Sequence, residues 1–110
     1  MINSFPNGQT IAQLLLTKTI THNETLRINA VNTLETLLSY GVIPIVNEND
    51  SVATDEIAYG DNDTLSAVTA YLTNADLLIL LSDIDGLYDD NPTLHPNAKL
   101  IPVVNHISEE

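Results

Sequence analysis

Short apolar runs of strand length alternate with segments of helical periodicity along this chain of 110 residues. The runs predict strands and the periodic segments predict helices, in the order β-α-β-loop-α-β-loop-β. Strands are predicted at 9–17, 42–46, 76–82 and 100–104. Strands that alternate with helices favour an α/β fold, in which right-handed crossovers build a mainly parallel sheet with flanking helices. The length suits one domain with one hydrophobic core.

The first helix is predicted from its start and stop signals. Thr21 and Glu24 have the spacing of a capping box, in which two side chains bond the unpaired backbone N–H groups of the first turn. Leucine and alanine then recur every three or four residues as far as Leu38. Gly41 stands where the end of a helix favours a left-handed residue.

The second helix is predicted to follow a polar loop at 47–60, with Asp61 or Asn62 as its cap. Its buried face is predicted to consist of Leu65, Val68, Leu72 and Ala75. The strand before the loop contains Pro44, which we expect at a sheet edge or a strand end because proline cannot donate to a ladder. The run at 76–82 is continuously apolar, which is typical of a strand in the middle of a parallel sheet.

The charge of the chain excludes several classes of partner. The formal net charge is -12, and the only Lys and Arg residues are Lys18, Arg27 and Lys99. Nucleic acids and anionic membrane surfaces are not expected to bind, because both need cationic patches. No apolar stretch approaches the ~20 residues of a membrane span. The chain has no cysteine, which excludes disulfides and thiolate metal sites and fits a reducing cytoplasm, the location we expect.

Most of the fifteen Asp and Glu residues fall between Glu48 and Asp90, in segments predicted to be loops. Such clustering suggests a site that a metal ion or lysines from elsewhere would complete, although a solvated acidic face explains the same pattern. In parallel sheets, ligands bind beyond the carboxyl ends of the strands. Those ends are predicted at 47–50 and 82–86, two of the most polar stretches of the chain.

Asn47, Glu48, Asn49 and Asp50 leave a predicted strand end together. An ionised Asp only accepts hydrogen bonds, whereas Asn both donates and accepts. This mixture can bind the ammonium and the carboxylate of an amino acid, although an Asx-rich turn explains the same residues about equally well.

Two further polar segments are candidates for ligand contacts. Polar residues at 60–63 exceed what one helix cap needs, and the helix N-terminus would favour an anion such as a substrate carboxylate. Ser82 and Asp83 could contact a nucleotide, and Gly86 permits a tight turn. An ordinary strand exit explains the second segment more simply.

The segments VIPIVNENDSVATDEIAYGDNDTLSA and NADLLILLSDIDGLYDDNP resemble the glutamate 5-kinases, a group within the amino-acid kinase family. NEND combined with GDND is the specific part, whereas Asp-x-x-Gly-Leu-Tyr-x-x-Asn-Pro recurs across amino-acid kinases. The resemblance implies a partial amino-acid kinase (carbamate kinase-like) fold. Residues 1–110 would then be the central portion of one kinase domain, an internal fragment without the family's two lysine-bearing glycine-rich loops.

The resemblance also implies ATP-dependent phosphorylation of the glutamate side-chain carboxylate to γ-glutamyl phosphate, with Mg²⁺, as the first step of proline synthesis. Feedback inhibition by proline is implied as well. Unpaired strand edges favour self-association, so a homo-oligomer is expected. Phosphoryl transfer needs cations that neutralise the transferring group, so we expect the chain alone to be inactive.

Residue roles follow from positions within the matched motifs. The residues implied to bind glutamate are Asn47, Asp50 and Asn62. The residues implied to contact the nucleotide are Ser82 and Asp83, with serine where the family often has threonine. Asp63 is implied to orient the catalytic lysines, and no residue is assigned to a metal.

Two other functions remain open. One is a module that binds glutamate or proline without chemistry, which affinity for an amino acid but not for a nucleotide would favour. The other is a kinase acting on aspartate, acetylglutamate or UMP, against which the NEND and GDND pair argues.

Overall fold

The computed structural model describes residues 7–50 and 62–107. The elements are β1 (Ile11–Leu16), a 3₁₀-helix (Lys18–Thr21), α1 (Glu24–Ser39), β2 (Ile43–Glu48), α2 (Asn62–Leu72), β3 (Leu87–Tyr88) and β4 (Leu100–Ile101). The chain divides into two compact units, one up to Ile79 and one from Leu80 onward. No helix among these residues is long and apolar enough to cross a membrane.

The first unit is built on a parallel pair of strands. β1 and β2 pair in register from Ile11 opposite Ile43 to Leu16 opposite Glu48, with α1 as the crossover between them. The predicted α/β class with parallel pairing is therefore confirmed. β2 ends two residues later than predicted, so Asn47 belongs to the strand and not to the loop after it.

The core lies between one face of this sheet and the two helices. Its buried residues are Leu16, Ile20, Ala30, Leu34, Leu65 and Leu72. Leu14 and Val46 pack against them from the sheet, as alternation along each strand requires. Leu15 and Ile45 point to the opposite face and remain exposed. Among the described residues, the helices therefore cover one face of the sheet.

The predicted capping box at the start of α1 is wrong. The N-cap is Asn23, whose side-chain oxygen accepts a hydrogen bond from the Leu26 N–H at 3.0 Å. Thr21 instead ends the preceding 3₁₀-helix, where its hydroxyl donates to the Lys18 carbonyl at 2.7 Å. Because the 3₁₀-helix holds Thr21 in its last turn, Thr21 cannot cap α1. Asn23 is the next residue along the chain of a type that favours the N-cap position, and α1 begins there.

The predicted end of α1 is confirmed. Gly41 has a φ of 71°, in the left-handed region that a Cβ disfavours. Its N–H donates to the Leu38 carbonyl, and the Val42 N–H donates to the Leu37 carbonyl, both at 3.0 Å. This pair of bonds is a Schellman motif, which satisfies carbonyls that the helix leaves unpaired. The chain can then turn directly into β2.

Pro44 lies where the prediction allowed it, on a strand whose second edge has no partner strand among the described residues. The Ile43 N–H donates to the Thr10 carbonyl at 3.1 Å, and the Asn49 N–H donates to the Leu16 carbonyl at 2.9 Å. Alternate residues of a strand face the same neighbour, so Pro44 faces away from β1. Its missing N–H therefore costs no bond between the two strands.

The strand predicted at 76–82 is not formed. Leu77, Ile79 and Leu81 are 74%, 69% and 93% exposed, and 77–81 makes no backbone hydrogen bond to any other described residue. A strand forms only where a neighbouring strand supplies the other half of its hydrogen-bond ladder, and an apolar run alone cannot provide that neighbour.

The predicted buried face of α2 is confirmed for Leu65 and Leu72 but wrong for Ala75, which lies past the helix and is exposed.

The second unit is small. β3 and β4 form an antiparallel pair, with Leu87 opposite Ile101. The strand predicted at 100–104 is therefore confirmed only for its first two residues. Asp89 and Lys99 extend the pairing: the Asp89 N–H donates to the Lys99 carbonyl at 3.0 Å, and the Lys99 N–H donates to the Asp89 carboxylate at 2.7 Å.

Candidate functional site

A groove of about 500 Å³ lies between β2 and α2, within the first unit. Pro44, Val46 and Asn47 line it from the strand, and α2 lines it from its first residue to its last turn. The segment after the helix adds Thr73, Ala75 and Leu78. None of the described residues that line the groove is charged. Its polarity therefore comes from amides and hydroxyls set among apolar side chains.

The groove brings together two of the three residues predicted to bind glutamate. Asn47 is the second-last residue of β2, and Asn62 is the first residue of α2. Both residues line the groove. A strand end and a helix start therefore each place an asparagine at the border of one groove, and an amide side chain can both donate and accept.

Asp50, the third predicted glutamate ligand, is exposed and does not line the groove. The Asn49 N–H still donates to the Leu16 carbonyl at 2.9 Å, so the chain follows the course of β2 until just before Asp50. The remainder of the predicted loop at 51–60 and the proposed cap Asp61 lie outside the described residues.

Asp63, the predicted catalytic residue, lies in the first turn of α2 and is exposed. A carboxylate in that turn interacts favourably with the positive end of the helix dipole. Its position therefore has a structural explanation that is independent of any catalytic role. The side chain does not line the groove.

Hydroxyl-bearing residues of α2, together with Thr73 just after it, line the groove in a pattern that the sequence analysis missed. Ser66, Thr69 and Thr73 each donate to the carbonyl four residues earlier, at 2.7, 2.8 and 2.9 Å. Each hydroxyl has one proton, and that proton is used inside the helix, so the oxygen faces a ligand as an acceptor. We call Ser66, Thr69 and Thr73 the hydroxyl wall of α2. The spacing of these Ser and Thr residues along the sequence was the signal that could have predicted it.

Ser82 and Asp83, the predicted nucleotide contacts, lie in the second unit. Both are exposed, and the Ser82 hydroxyl oxygen lies 3.5 Å from a carboxylate oxygen of Asp83. The hydroxyl donates to that carboxylate, so the pair offers a hydroxyl oxygen and an anionic acceptor side by side. Nearby, Gly86 passes so close to β4 that a Cβ there would lie 3.2 Å from the Leu100 side chain.

The described residues contain no group of three His, Asp or Glu side chains that could hold a metal ion. A Mg²⁺ ion that accompanies a nucleotide needs only one or two protein carboxylates beside the phosphates. Exposed carboxylates such as Asp83 are of the chemical type that this arrangement requires.

Comparison with known proteins identifies one family and a set of similarly named relatives. Residues 4–109 match the amino acid kinase family. A glutamate 5-kinase of Clostridium acetobutylicum is 54% identical over 103 residues, and one of Listeria welshimeri is 55% identical over 107. A third, from Geobacter sulfurreducens, is 52% identical over 105 residues. The predicted resemblance to glutamate 5-kinases is confirmed.

The matches cover most of this chain but a minor part of each relative. The chain is covered to 94% by the Clostridium and Listeria matches and to 96% by the Geobacter match. It spans 39% of the length of the first two proteins and 28% of the third. Because the family match extends over nearly the whole sequence, this chain belongs to the amino acid kinase family.

Proposed function

We propose that this chain supplies the glutamate-binding part of an ATP-dependent kinase that phosphorylates the side-chain carboxylate of glutamate, the first step of proline synthesis. The observation that carries the proposal is the placement of Asn47 and Asn62 on one groove. Relatives that are named glutamate 5-kinase and are more than 50% identical support the choice of substrate.

The proposed glutamate contacts follow from the chemistry of the side chains. The amide N–H groups of Asn47 and Asn62 donate to a carboxylate, and the start of α2 favours the same anion because its first N–H groups lack partners within the helix. The carboxylate of Asp50 accepts from the ammonium group. The hydroxyl oxygens of Ser66 and Thr69 offer further acceptors without adding charge.

The nucleotide is proposed to contact Ser82 through its hydroxyl and Asp83 through its carboxylate. ATP with Mg²⁺ supplies the phosphoryl group when it is bound. Asp63 is proposed to orient the catalytic lysines that the rest of a kinase domain would supply, and its exposed carboxylate is accessible to such partners.

The cations of the chain do not line the groove. Lys18, Arg27 and Lys99 are all absent from the described residues that border it. Phosphoryl transfer requires positive charge on the transferring group. We therefore propose that the 110-residue chain binds glutamate but does not by itself transfer phosphate. Release of ADP above a blank, dependent on glutamate, would contradict this.

Titration calorimetry on the chain tests the proposed substrate. Glutamate is expected to bind saturably, aspartate more weakly, and proline is expected to compete with glutamate. Binding of glutamate together with ATP and Mg²⁺ supports a kinase, whereas binding of amino acids alone supports a sensing module. Preference for aspartate or UMP over glutamate would assign the chain to another kinase of the family.

Self-association and a cytoplasmic location complete the proposal. Leu15, Ile43 and Ile45 form an exposed apolar face on the sheet, and the apolar run at 77–81 adds to the exposed apolar surface. Surfaces of this kind mark interaction sites in soluble proteins. Light scattering over a range of protein concentrations is expected to show more than one copy per particle.

A further inference from the structure

A second cavity, of about 450 Å³, lies between the 3₁₀-helix, the start of α1 and the second half of α2. It shares no lining residue with the groove between β2 and α2. Its apolar walls are formed by Ile20, Ala67, Val68 and Leu72. The polar residues that line it are Thr21, Arg27 and Tyr71. We call it the Arg27 cavity.

Arg27 has an unusual position for a cation in so acidic a chain. It is half-buried, and among the described residues its guanidinium makes no ion pair within 4.0 Å. Glu24, three residues earlier on the same helix, is not within that distance. The guanidinium presents five N–H donors. A charged group with unused donors beside an apolar cavity is suited to an anionic ligand.

The other polar groups that line the cavity cannot take over that role. The Thr21 hydroxyl uses its proton in a 2.7 Å bond to the Lys18 carbonyl, so it offers only an acceptor. Tyr71 is largely exposed. Arg27 is thus the only positively charged side chain among the described residues that line the cavity.

We propose that the Arg27 cavity binds a small monocarboxylate with an apolar body. The carboxylate pairs with the guanidinium in the bidentate geometry that arginine favours. The apolar body packs on Ile20, Val68 and Leu72, and the cavity volume falls in the range of small-molecule sites. This proposal does not depend on glutamate binding in the groove.

The charge of the chain argues for this class of ligand over other anions. A net charge of -12 repels anions, and most strongly those that carry more than one charge. One guanidinium also cannot satisfy the oxygens of a phosphate dianion. A ligand with an apolar body also buries apolar surface, and the free energy of that burial offsets the repulsion of its single negative charge.

Hexanoate is the probe, and amide chemical shifts of the ¹⁵N-labelled chain are the readout. Shifts are expected at Arg27, Val68 and Leu72, and they should saturate. Hexanamide, which lacks the charge, and acetate and inorganic phosphate, which lack the apolar body, are expected to bind at least about fivefold more weakly, because each lacks one of the two contacts.

Arg27→Gln is expected to weaken hexanoate binding at least about tenfold, since both charge-assisted hydrogen bonds of the bidentate pair are lost. The matched control is Lys18→Gln, which removes the same charge outside the cavity and should leave the affinity unchanged. Ala67→Phe fills the cavity while keeping Arg27, and it should also abolish binding. Ala67 is exposed, so this variant is expected to keep the helical circular dichroism of the parent chain.

Several outcomes would overturn the proposal. They are equal hexanoate affinity in the parent chain and Arg27→Gln, equal affinity for acetate or phosphate, shifts confined to other parts of the chain, and no saturable binding. Shifts at the cavity that grow with protein concentration without any probe would show that a second copy occupies it, which also contradicts a small-molecule site.

Discussion

Asn47 and Asn62 line the same groove, although residues 48–61 separate them along the chain. The relationship follows from the fold, because the end of β2 and the start of α2 both border that groove. A carboxylate bound in that groove would have the amides of both asparagines at its border. This geometry connects the sequence motifs to the proposed binding of glutamate.

Replacing either amide should weaken glutamate binding. Asn47→Ala and Asn62→Ala each remove a donor to a charged group, which is expected to lower affinity about tenfold. Asn32→Ala is the matched control, because Asn32 is exposed on α1 and does not line the groove. Calorimetric titration measures the three affinities. Unchanged binding in both groove variants would remove the physical basis of the site.

The N-cap of α1 can be tested with substitutions at two neighbouring residues, Asn23 and Glu24. Asn23→Ala removes the capping bond to the Leu26 N–H and is expected to lower the free energy of unfolding by about 1 kcal/mol. Asn23→Ser retains an acceptor and should be nearly neutral. Urea denaturation measures both. If Glu24→Ala lowers the free energy of unfolding more than Asn23→Ala does, the capping box predicted from the sequence would be supported and Asn23 would not be the cap.

The turn after α1 depends on a residue without a Cβ. Gly41→Ala places a side chain at a φ of 71° and should cost about 1 kcal/mol of the free energy of unfolding. The reason is backbone strain alone, since a Cβ added at Gly41 would meet nothing within 4 Å beyond its chain neighbours. Gly41→Asn is expected to lose less, because asparagine tolerates the left-handed region. Equal stability of all three chains would contradict the Schellman turn.

Leu34 is the only described residue with a fully buried large side chain. Leu34→Ala is expected to lower the free energy of unfolding by roughly 2–5 kcal/mol, since it leaves a cavity in the core. Leu38→Ala, four residues along the same helix, changes an exposed leucine and serves as the control. Urea midpoints compare the two. Similar losses would mean that the core does not lie where α1 meets the sheet.

The exposed apolar run at 77–81 should promote self-association. Leu81→Lys adds charge at a side chain that is 93% exposed, so it is expected to reduce association without lowering stability. The matched control is Thr93→Lys, which adds the same charge at a polar position in the second unit. Light scattering and thermal unfolding measure the two effects. An unchanged particle mass in Leu81→Lys would show that copies associate through another surface.

Local signals in the sequence predicted the local parts of the fold. Gly41 and Pro44 are constrained by their own backbone chemistry, so their positions at a helix end and a strand edge could be inferred. The choice of Asn23 over Thr21 as the cap could not, because it depends on the 3₁₀-helix that occupies Thr21. The run at 76–82 failed as a strand because pairing depends on a neighbour and not on composition.

The part of the candidate site that lies at the end of β2 and the start of α2 could be predicted from the sequence. The segments that contain Asn47 and Asn62 were predicted because polar residues at a strand end and a helix start can face ligands, and the resemblance to glutamate 5-kinases then selected these two residues. The hydroxyl wall of α2 and the Arg27 cavity were missed because both arise from the way helices pack. Helix packing sets which side chains share a space, and spacing along one chain does not reveal it.

A double-mutant cycle on Asn47 and Asn62 tests the central claim most directly. Glutamate affinity is measured by calorimetry for the parent chain, each alanine variant and the double variant. If the two amides hold one carboxylate, their effects are not additive, and a coupling energy of at least about 0.5 kcal/mol is predicted. Additive effects, or no saturable glutamate binding by the parent chain, would contradict the account.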